Sequence, residues 1–216
     1  MIDMKMGEDN KLYSVVSVLE GSYTSLRIFK STDYGVSWGM IIGLGLGDRI
    51  SNISMTVESK SNMNPDSTRV IVFDTNSEDF INFSNSTINY FSLRNDGEYY
   101  QYGQITAPEP GNEITGISAV SDGAYYQSAT YFGVVCTEAD NITGQTEKIR
   151  FFRTIDWGAT WVGSVLNTFQ NDKYPSAAYK EGSGDSVYIA VERNFDTLQS
   201  QLRIITTPWL PSNFKW

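Results

Sequence analysis

The sequence contains no histidine and only one cysteine among its 216 residues. Without histidine there is no Ser-His-Asp arrangement, and the usual zinc ligands are missing. A single cysteine, Cys136, makes neither an internal disulfide nor a metal cluster. It stands in the apolar run YFGVVC, which predicts a small buried side chain, and no histidine is there to activate it as a nucleophile. We therefore expect no metal and no cofactor.

Basic residues are also few. Lys and Arg total 16 against 25 Asp and Glu, which gives a net charge of -9 at pH 7. Because nucleic acid and anionic membrane surfaces attract basic patches, this balance argues against both as partners. No stretch is long and apolar enough to insert into a membrane. The start, MIDMKMGEDN, lacks the apolar core of a signal peptide, so we expect a mature or excised part of a secreted or cell-envelope protein, with a cytosolic chain as the alternative.

What the sequence does contain is a repeat of short runs rich in Val, Ile, Tyr and Phe, which are typical of strands. Four of these runs share a pattern: LRIF begins at Leu26, INYF at Ile88, IRFF at Ile149 and LRII at Leu202. Further strand-like runs precede and follow them, so each unit takes about 55 to 60 residues and contains four strands. No stretch shows convincing helical periodicity.

Four-stranded units in tandem predict an all-β fold, namely a β-propeller of four-stranded antiparallel blades with about four repeats in this chain. A β-solenoid is the alternative, although its repeats are usually much shorter. We expect a single propeller domain or propeller fragment over residues 1–216, with blade units near 1–47, 48–106, 107–168 and 169–216. The chain is predicted to begin at the second strand of its first unit and to end near the third strand of its fourth. That leaves an incomplete or self-closing ring.

A short motif follows two of the repeated runs, STDYGVSW at residues 31–38 and TIDWGATW at residues 154–161. Asp at a turn accepts hydrogen bonds from backbone N–H groups further along the chain, and Gly supplies a left-handed backbone. Ser or Thr adds a local hydrogen bond, and Trp begins the next strand above the apolar layer. The spacing therefore predicts a self-satisfied hairpin turn. Its residues are Ser31, Asp33, Gly35, Ser37 and Trp38 in the first copy, and Thr154, Asp156, Gly158, Thr160 and Trp161 in the second.

The pattern S-x-D-x-G-x-[ST]-W resembles the Asp-box, or BNR repeat, of sialidase-like and sortilin-like propellers. The resemblance implies that the motif joins the third and fourth strands of a blade, on the rim away from the ligand face, and that its role is structural. The second unit departs from the pattern, with Asn95 at the Asp position, Gly97 at the Gly position and Tyr100 at the Trp position. The fourth unit has no box.

Propeller ligands usually meet the face formed by the loops between blades and the loops between second and third strands. Each residue on that face is either a ligand contact or an ordinary solvated loop residue. The arginines Arg27, Arg150 and Arg203 recur at one strand position, which favours a structural role over a substrate clamp. The candidate binding residues on the ligand face are Asp48, Arg49, Glu109, Glu113, Asp172, Lys173 and Tyr174.

Two functions fit these features. The first is a non-catalytic propeller module that binds a protein or a glycan, because no nucleophile or metal motif is present. The second is a sialidase-like glycoside hydrolase, or a fragment of one, which needs two carboxylates facing each other across a cleft. No local motif selects such a pair among the 25 acidic residues. An open arc of blades would expose an apolar face and strand edges, so a homodimer that completes the propeller is a further expectation.

Overall fold

The computed structural model describes residues 1–7, 9–21, 23–46, 49–58, 68–77, 87–94, 97, 100–121, 132–140, 142–154, 156, 158–168, 171–180, 186–194 and 200–209. Within these ranges the regular structure consists of β-strands, and no residue is helical. Accordingly, the described residues include no helix of the length and hydrophobicity needed to cross a membrane.

The strands form four antiparallel sheets, each assembled in chain order. The first sheet contains β1 (Ile2–Met6), β2 (Leu12–Glu20), β3 (Tyr23–Ser31) and β4 (Gly39–Leu46). The second contains β5 (Arg49–Glu58), β6 (Arg69–Ser77), β7 (Thr87–Arg94) and β8 (Tyr100–Thr106). The third contains β9 (Asn112–Ser121), β10 (Phe132–Asp140), β11 (Thr146–Thr154) and β12 (Val162–Thr168). The fourth contains β13 (Asp172–Lys180), β14 (Ser186–Asn194) and β15 (Ser200–Pro208).

The strand β1 corrects one prediction. The chain does not begin at the second strand of its first unit, because β1 pairs with β2 and completes a four-stranded sheet. The run alternates apolar Ile2, Met4 and Met6 with charged Asp3 and Lys5, which is the period of a strand. Its signal is weak because it is only five residues long and carries two charges.

The first strands of the four sheets lie beside one another in chain order, with β1 against β5, β5 against β9 and β9 against β13. Among the described residues, no comparable contact joins β13 back to β1, so the four sheets form an open arc. This is the architecture of a β-propeller whose ring is not closed. The predicted fold class is confirmed.

Apolar clusters fill the spaces between successive sheets. Between the first and second sheets, Tyr13, Leu26 and Met55 have no exposed surface. The space between the second and third sheets is rich in aromatic rings and also holds Cys136, which is fully buried. Phe151 lies in the cluster between the third and fourth sheets. Each sheet thus buries its apolar side chains against its neighbours rather than within a single central core.

Hydrogen bonds between the first strands fix how each sheet meets the next. A side chain on one first strand accepts a hydrogen bond from a backbone amide of the following one, at 2.7 to 3.0 Å. The accepting positions are equivalent in the three sheets, so the same junction is made three times. The acceptor and donor pairs are Asp3 Oδ2 and Met55 N, Ser54 Oγ and Ala119 N, and Ser118 Oγ and Ala177 N.

Candidate functional site

The two motif turns lie between β3 and β4 and between β11 and β12. In each turn the first hydroxyl oxygen accepts a hydrogen bond from the glycine amide. Gly35 N lies 2.8 Å from Ser31 Oγ, and Gly158 N lies 2.9 Å from Thr154 Oγ1. Both glycines have φ 88°, a left-handed conformation that glycine adopts without steric cost. These turns therefore satisfy their own backbone groups.

The aspartate of each turn is held by the same local bonds. Hydrogen bonds from the Ser37 hydroxyl and amide, and from the Ser31 hydroxyl, lower the pKa of Asp33 to about 2. Burial raises the pKa of Asp156, but hydrogen bonds within the turn, chiefly from Thr160, outweigh it and leave that pKa lowered. An ionised carboxylate whose oxygens are already occupied suits a structural turn better than an acid catalyst.

The two tryptophans of the motif have different surroundings. Trp161 packs among Tyr90, Phe132 and Phe73, with ring centroids 5.1, 5.6 and 6.1 Å away. Trp38 is 38% exposed, and its indole N–H donates to a backbone carbonyl of its own turn at 3.1 Å. Trp161 thus covers the apolar layer between the second and third sheets, whereas Trp38 covers its own turn.

The candidate binding residues lie at the other end of the sheets. We call this the linker end, because the connections from β4 to β5, β8 to β9 and β12 to β13 lie there. Asp48 lies outside the described residues, and Arg49 is the first residue of β5, with its side chain not among those described. Glu109 is exposed and forms an ion pair with Lys148, whose hydrogen bond lowers the pKa of Glu109. Partial burial on β9 raises the pKa of Glu113.

Asp172, Lys173 and Tyr174 all lie at the start of β13, but in different settings. The Asp172 side chain is 1% exposed and contacts Arg193 and Arg203. Lys173 is half-buried, and Tyr174 is 72% exposed. Asp172 therefore holds the sheet together, while Tyr174 is presented to solvent.

A β-bulge accounts for the exposure of Tyr174. The pairing of β13 with β14 shifts between Lys173 and Ser176, and Tyr174 has φ 52° within that shift. Equivalent shifts occur near the start of β5 and β9. Bulges re-aim side chains and are common next to active sites. The dipeptide Tyr174–Pro175 is the sequence signal for this bulge, since proline inside a strand marks an edge or a bulge.

Acidic and polar pairs recur at the linker end and were not predicted. Glu138 contacts Arg150, and its side chain has no exposed surface. The residues at the Arg150 position in two other sheets also contact an acid, although that acid lies at a different register: Arg27 contacts Glu20 in the first sheet, and Asn89 contacts Asp74 at 3.2 Å in the second. The recurring arginines thus each contact an acid of their own sheet. No local motif reveals these partners, because the two members of each pair lie on different strands.

Glu138 has one unused oxygen. Its Oε1 accepts from Arg150, and its buried Oε2 has no hydrogen-bond partner among the described residues. Glu113 of β9 lies opposite Ala139, the residue that follows Glu138 on β10. The third sheet therefore places two carboxylates, Glu113 and Glu138, near the linker end of adjacent strands. In the described ranges, no three His, Cys, Asp or Glu side chains are grouped so that they could hold a metal ion.

No protein-family model and no curated protein matches this sequence. Solved structures do match it in fold. The α-L-arabinofuranosidase of Fusarium graminearum superposes with a TM-score of 0.62 at 12% identity, covering 96% of this chain and 62% of that one. The α-L-arabinanase of Penicillium chrysogenum, solved with arabinobiose, gives 0.61 at 12% identity, with coverages of 95% and 61%.

A Hadza microbial sialidase matches with a TM-score of 0.59 at 12% identity, and the match covers 95% of this chain and 43% of that one. The fold is a β-propeller. The chain spans at most 62% of the length of these three proteins. At such low identity the likeness establishes the architecture, and function depends on the residues of the site.

Proposed function

We propose that this chain is a glycan-binding β-propeller module whose ligand contacts the linker end of the first strands, at the junction of the third and fourth sheets. The observation that carries the proposal is Tyr174, an aromatic side chain that a bulge turns out to 72% exposure on a strand start. A flat aromatic face with a polar hydroxyl suits the mixed apolar and polar surface of a sugar ring.

The neighbourhood of Tyr174 supports the same function. Pro175 packs against Gly116 of β9, where a Cβ atom would lie 3.0 Å from Pro175 Cδ. Glu113 lies three residues before Gly116 on β9, the strand that Pro175 packs against, and its carboxyl group is of the kind that hydrogen-bonds sugar hydroxyls. The two ion pairs of Asp172, with Arg193 and with Arg203, hold the start of β13 rigid. A rigid base lowers the entropic cost of binding.

The structural neighbours agree with this choice of ligand. They are named as an arabinofuranosidase, an arabinanase and a sialidase, all proteins that act on carbohydrates. Their identity to this chain is only 12%, so the support concerns the ligand class rather than a particular sugar. The exact glycan follows from experiment.

The test is binding of a glycan panel that includes arabinobiose and sialylated oligosaccharides, measured by calorimetry. We expect Tyr174→Ala to weaken binding by about tenfold or more, since interface tyrosines often contribute over ~1.4 kcal/mol. The matched control is Tyr34→Ala at the opposite end, because Tyr34 is 76% exposed with φ 56°, nearly the same as Tyr174. Absence of binding across the panel, or equal affinity of wild type and Tyr174→Ala, would contradict the proposal.

A glycoside hydrolase is the second candidate, and the raised pKa of Glu113 favours it. A general acid must carry a proton at the working pH, and partial burial shifts the pKa of Glu113 in the direction that this role needs. In this case Glu113→Gln abolishes release of reducing sugar yet retains binding. The rate of the wild type falls as pH rises through the pKa of Glu113, because the acid loses its proton. Binding without any hydrolysis supports the non-catalytic module.

A further inference from the structure

Every sheet in the arc has a forward face, towards the next sheet in the chain, and a back face, towards the preceding one. In the first sheet the forward face carries Tyr13, Val15, Leu26 and Ile28, which all have no exposed surface. The strand pairing identifies the residues that occupy these four positions in the second sheet. Their side chains are at most 3% exposed. Those second-sheet residues are Ile71, Phe73, Ile88 and Tyr90.

The fourth sheet carries the same kind of forward face, and within the described part of the chain no other sheet packs on it. Its residues at the equivalent positions are Tyr188, Ala190, Leu202 and Ile204. Tyr188 is 38% exposed, Leu202 71% and Ile204 55%. Leu202 and Ile204 repeat the Leu and Ile that the first sheet buries completely. This surface therefore has the composition of an inter-sheet core.

The back face of the first sheet likewise has no partner sheet among the residues that the structure describes. In the second sheet the back-face residues of the first strand are Ile53, Met55 and Val57, which pack in the cluster against the first sheet. The equivalent residues of β1 are Ile2, Met4 and Met6, which are 66%, 47% and 63% exposed. Two faces that elsewhere pack against each other are thus both exposed, one at each end of the arc.

Among the described residues, the hydrogen-bond series between first strands stops at the fourth sheet, on the same surface. Asp3, Ser54 and Ser118 each accept from a backbone amide of the next sheet. Ser176 stands at the equivalent register in the fourth sheet, opposite Ala190, and is exposed on the forward face. At the other end of the arc, the amide of Met4, equivalent to those donors, bonds its neighbour Asp3 at 2.7 Å instead.

We propose that the forward face of the fourth sheet is a docking surface for the back face of the first sheet of a second copy of this chain. In that contact the Ser176 hydroxyl accepts from the Met4 amide of the other copy. The occupant is a second copy because both halves of the repeated junction are carried by one chain, so the joint continues an interface already made three times. A contact between two different faces is heterologous. Two chains joined at both ends hold eight sheets, within the usual range for propellers.

The test is the solution mass of the whole chain by light scattering over a concentration range, with variants at each face. We expect a dimer for the wild type. Ile204→Asp and Met4→Asp should each yield monomers, because each charge disables one of the two faces. The matched control is Ile142→Asp, since Ile142 is an isoleucine that is 89% exposed on a turn away from both faces. It should remain a dimer. Circular dichroism checks that all three variants fold.

Mixing the two monomeric variants distinguishes this contact from a symmetric one. Ile204→Asp keeps an intact first sheet and Met4→Asp keeps an intact fourth sheet, so an equimolar mixture should form a dimer with a single junction. A size tag fused to one of the two variants distinguishes the mixed dimer from either monomer by mass. A monomeric wild type at all concentrations overturns the proposal, as does a dimer that survives both face variants or a mixture that stays monomeric.

Discussion

Asp172 and Arg193 form a two-point ion pair across β13 and β14, with Nε 2.8 Å from Oδ1 and Nη2 3.1 Å from Oδ2. Arg203 of β15 adds a contact at 3.2 Å, so one carboxylate joins all three described strands of the fourth sheet. The Asp172 side chain is only 1% exposed, and its two arginines neutralise a charge that would otherwise be costly to bury.

Asp172→Asn should therefore destabilise the protein clearly. The amide cannot neutralise the two arginines, so we expect the free energy of unfolding to fall by about 3 kcal/mol. This is the lower end of the range for a broken buried pair, because the arginines are partly exposed. Urea unfolding measures this. Glu109→Gln is the control, since it breaks an exposed ion pair and should lower the free energy of unfolding far less than Asp172→Asn does. Equal losses for the two variants would show that Asp172 is not a structural clamp.

The junction between the third and fourth sheets yields a second prediction. Ser118→Ala removes the acceptor for the Ala177 amide, which then lacks that partner. We expect a loss of about 1 to 3 kcal/mol in the free energy of unfolding. Ser176→Ala changes the equivalent exposed position, and in dilute protein it should cost below about 0.5 kcal/mol. Thermal unfolding at low concentration compares the two, and similar melting temperatures would contradict the prediction.

The two glycines of the motif turns provide a matched pair. Both have φ 88°, so alanine is strained at either one, by roughly 1 to 2 kcal/mol. At Gly35 the nearest atom to an added Cβ is 3.5 Å away, whereas at Gly158 it is Tyr90 Oη at 2.6 Å. Gly158→Ala should cost about 1 to 3 kcal/mol more than Gly35→Ala, because Tyr90 must move in a packed cluster. Chemical denaturation measures both, and equal costs would mean that the ring moves freely.

Asp33 predicts a pH dependence of stability. Hydrogen bonds in its turn, first from the Ser37 hydroxyl, lower its pKa from 3.8 to about 2 in the folded protein. A depressed folded pKa means that the stabilisation is fully present above the unfolded pKa and is lost as pH falls from about 4 towards 2. Urea midpoints over this window should fall less steeply for Asp33→Asn than for the wild type. Parallel curves would contradict the lowered pKa.

The repeat architecture was predictable because strand periodicity and turn chemistry are local. LRIF, INYF, IRFF and LRII fall within β3, β7, β11 and β15, and the all-β propeller followed from them. The strand β1 was missed because its run is short and charged. The pairing partners at the linker end were also missed, since they depend on which residues face each other across strands.

The candidate site was less predictable for the same reason. Tyr174 was among the predicted ligand residues. The bulge that exposes it, and the structural role of nearby Asp172, depend on strand register. Glu138 was not predicted, because burial of an acid beside Arg150 leaves no mark in the sequence around it. The two uncovered faces likewise emerge only when equivalent positions are compared between sheets.

The burial of Cys136 has a practical consequence. Its thiol has no exposed surface, and burial raises its pKa to about 12. Because alkylating reagents attack the thiolate, this residue stays unmodified while the second and third sheets remain together. It is also the only thiol in the chain. The rate at which an alkylating dye labels the native protein therefore reports how often these two blades separate, without any engineered probe.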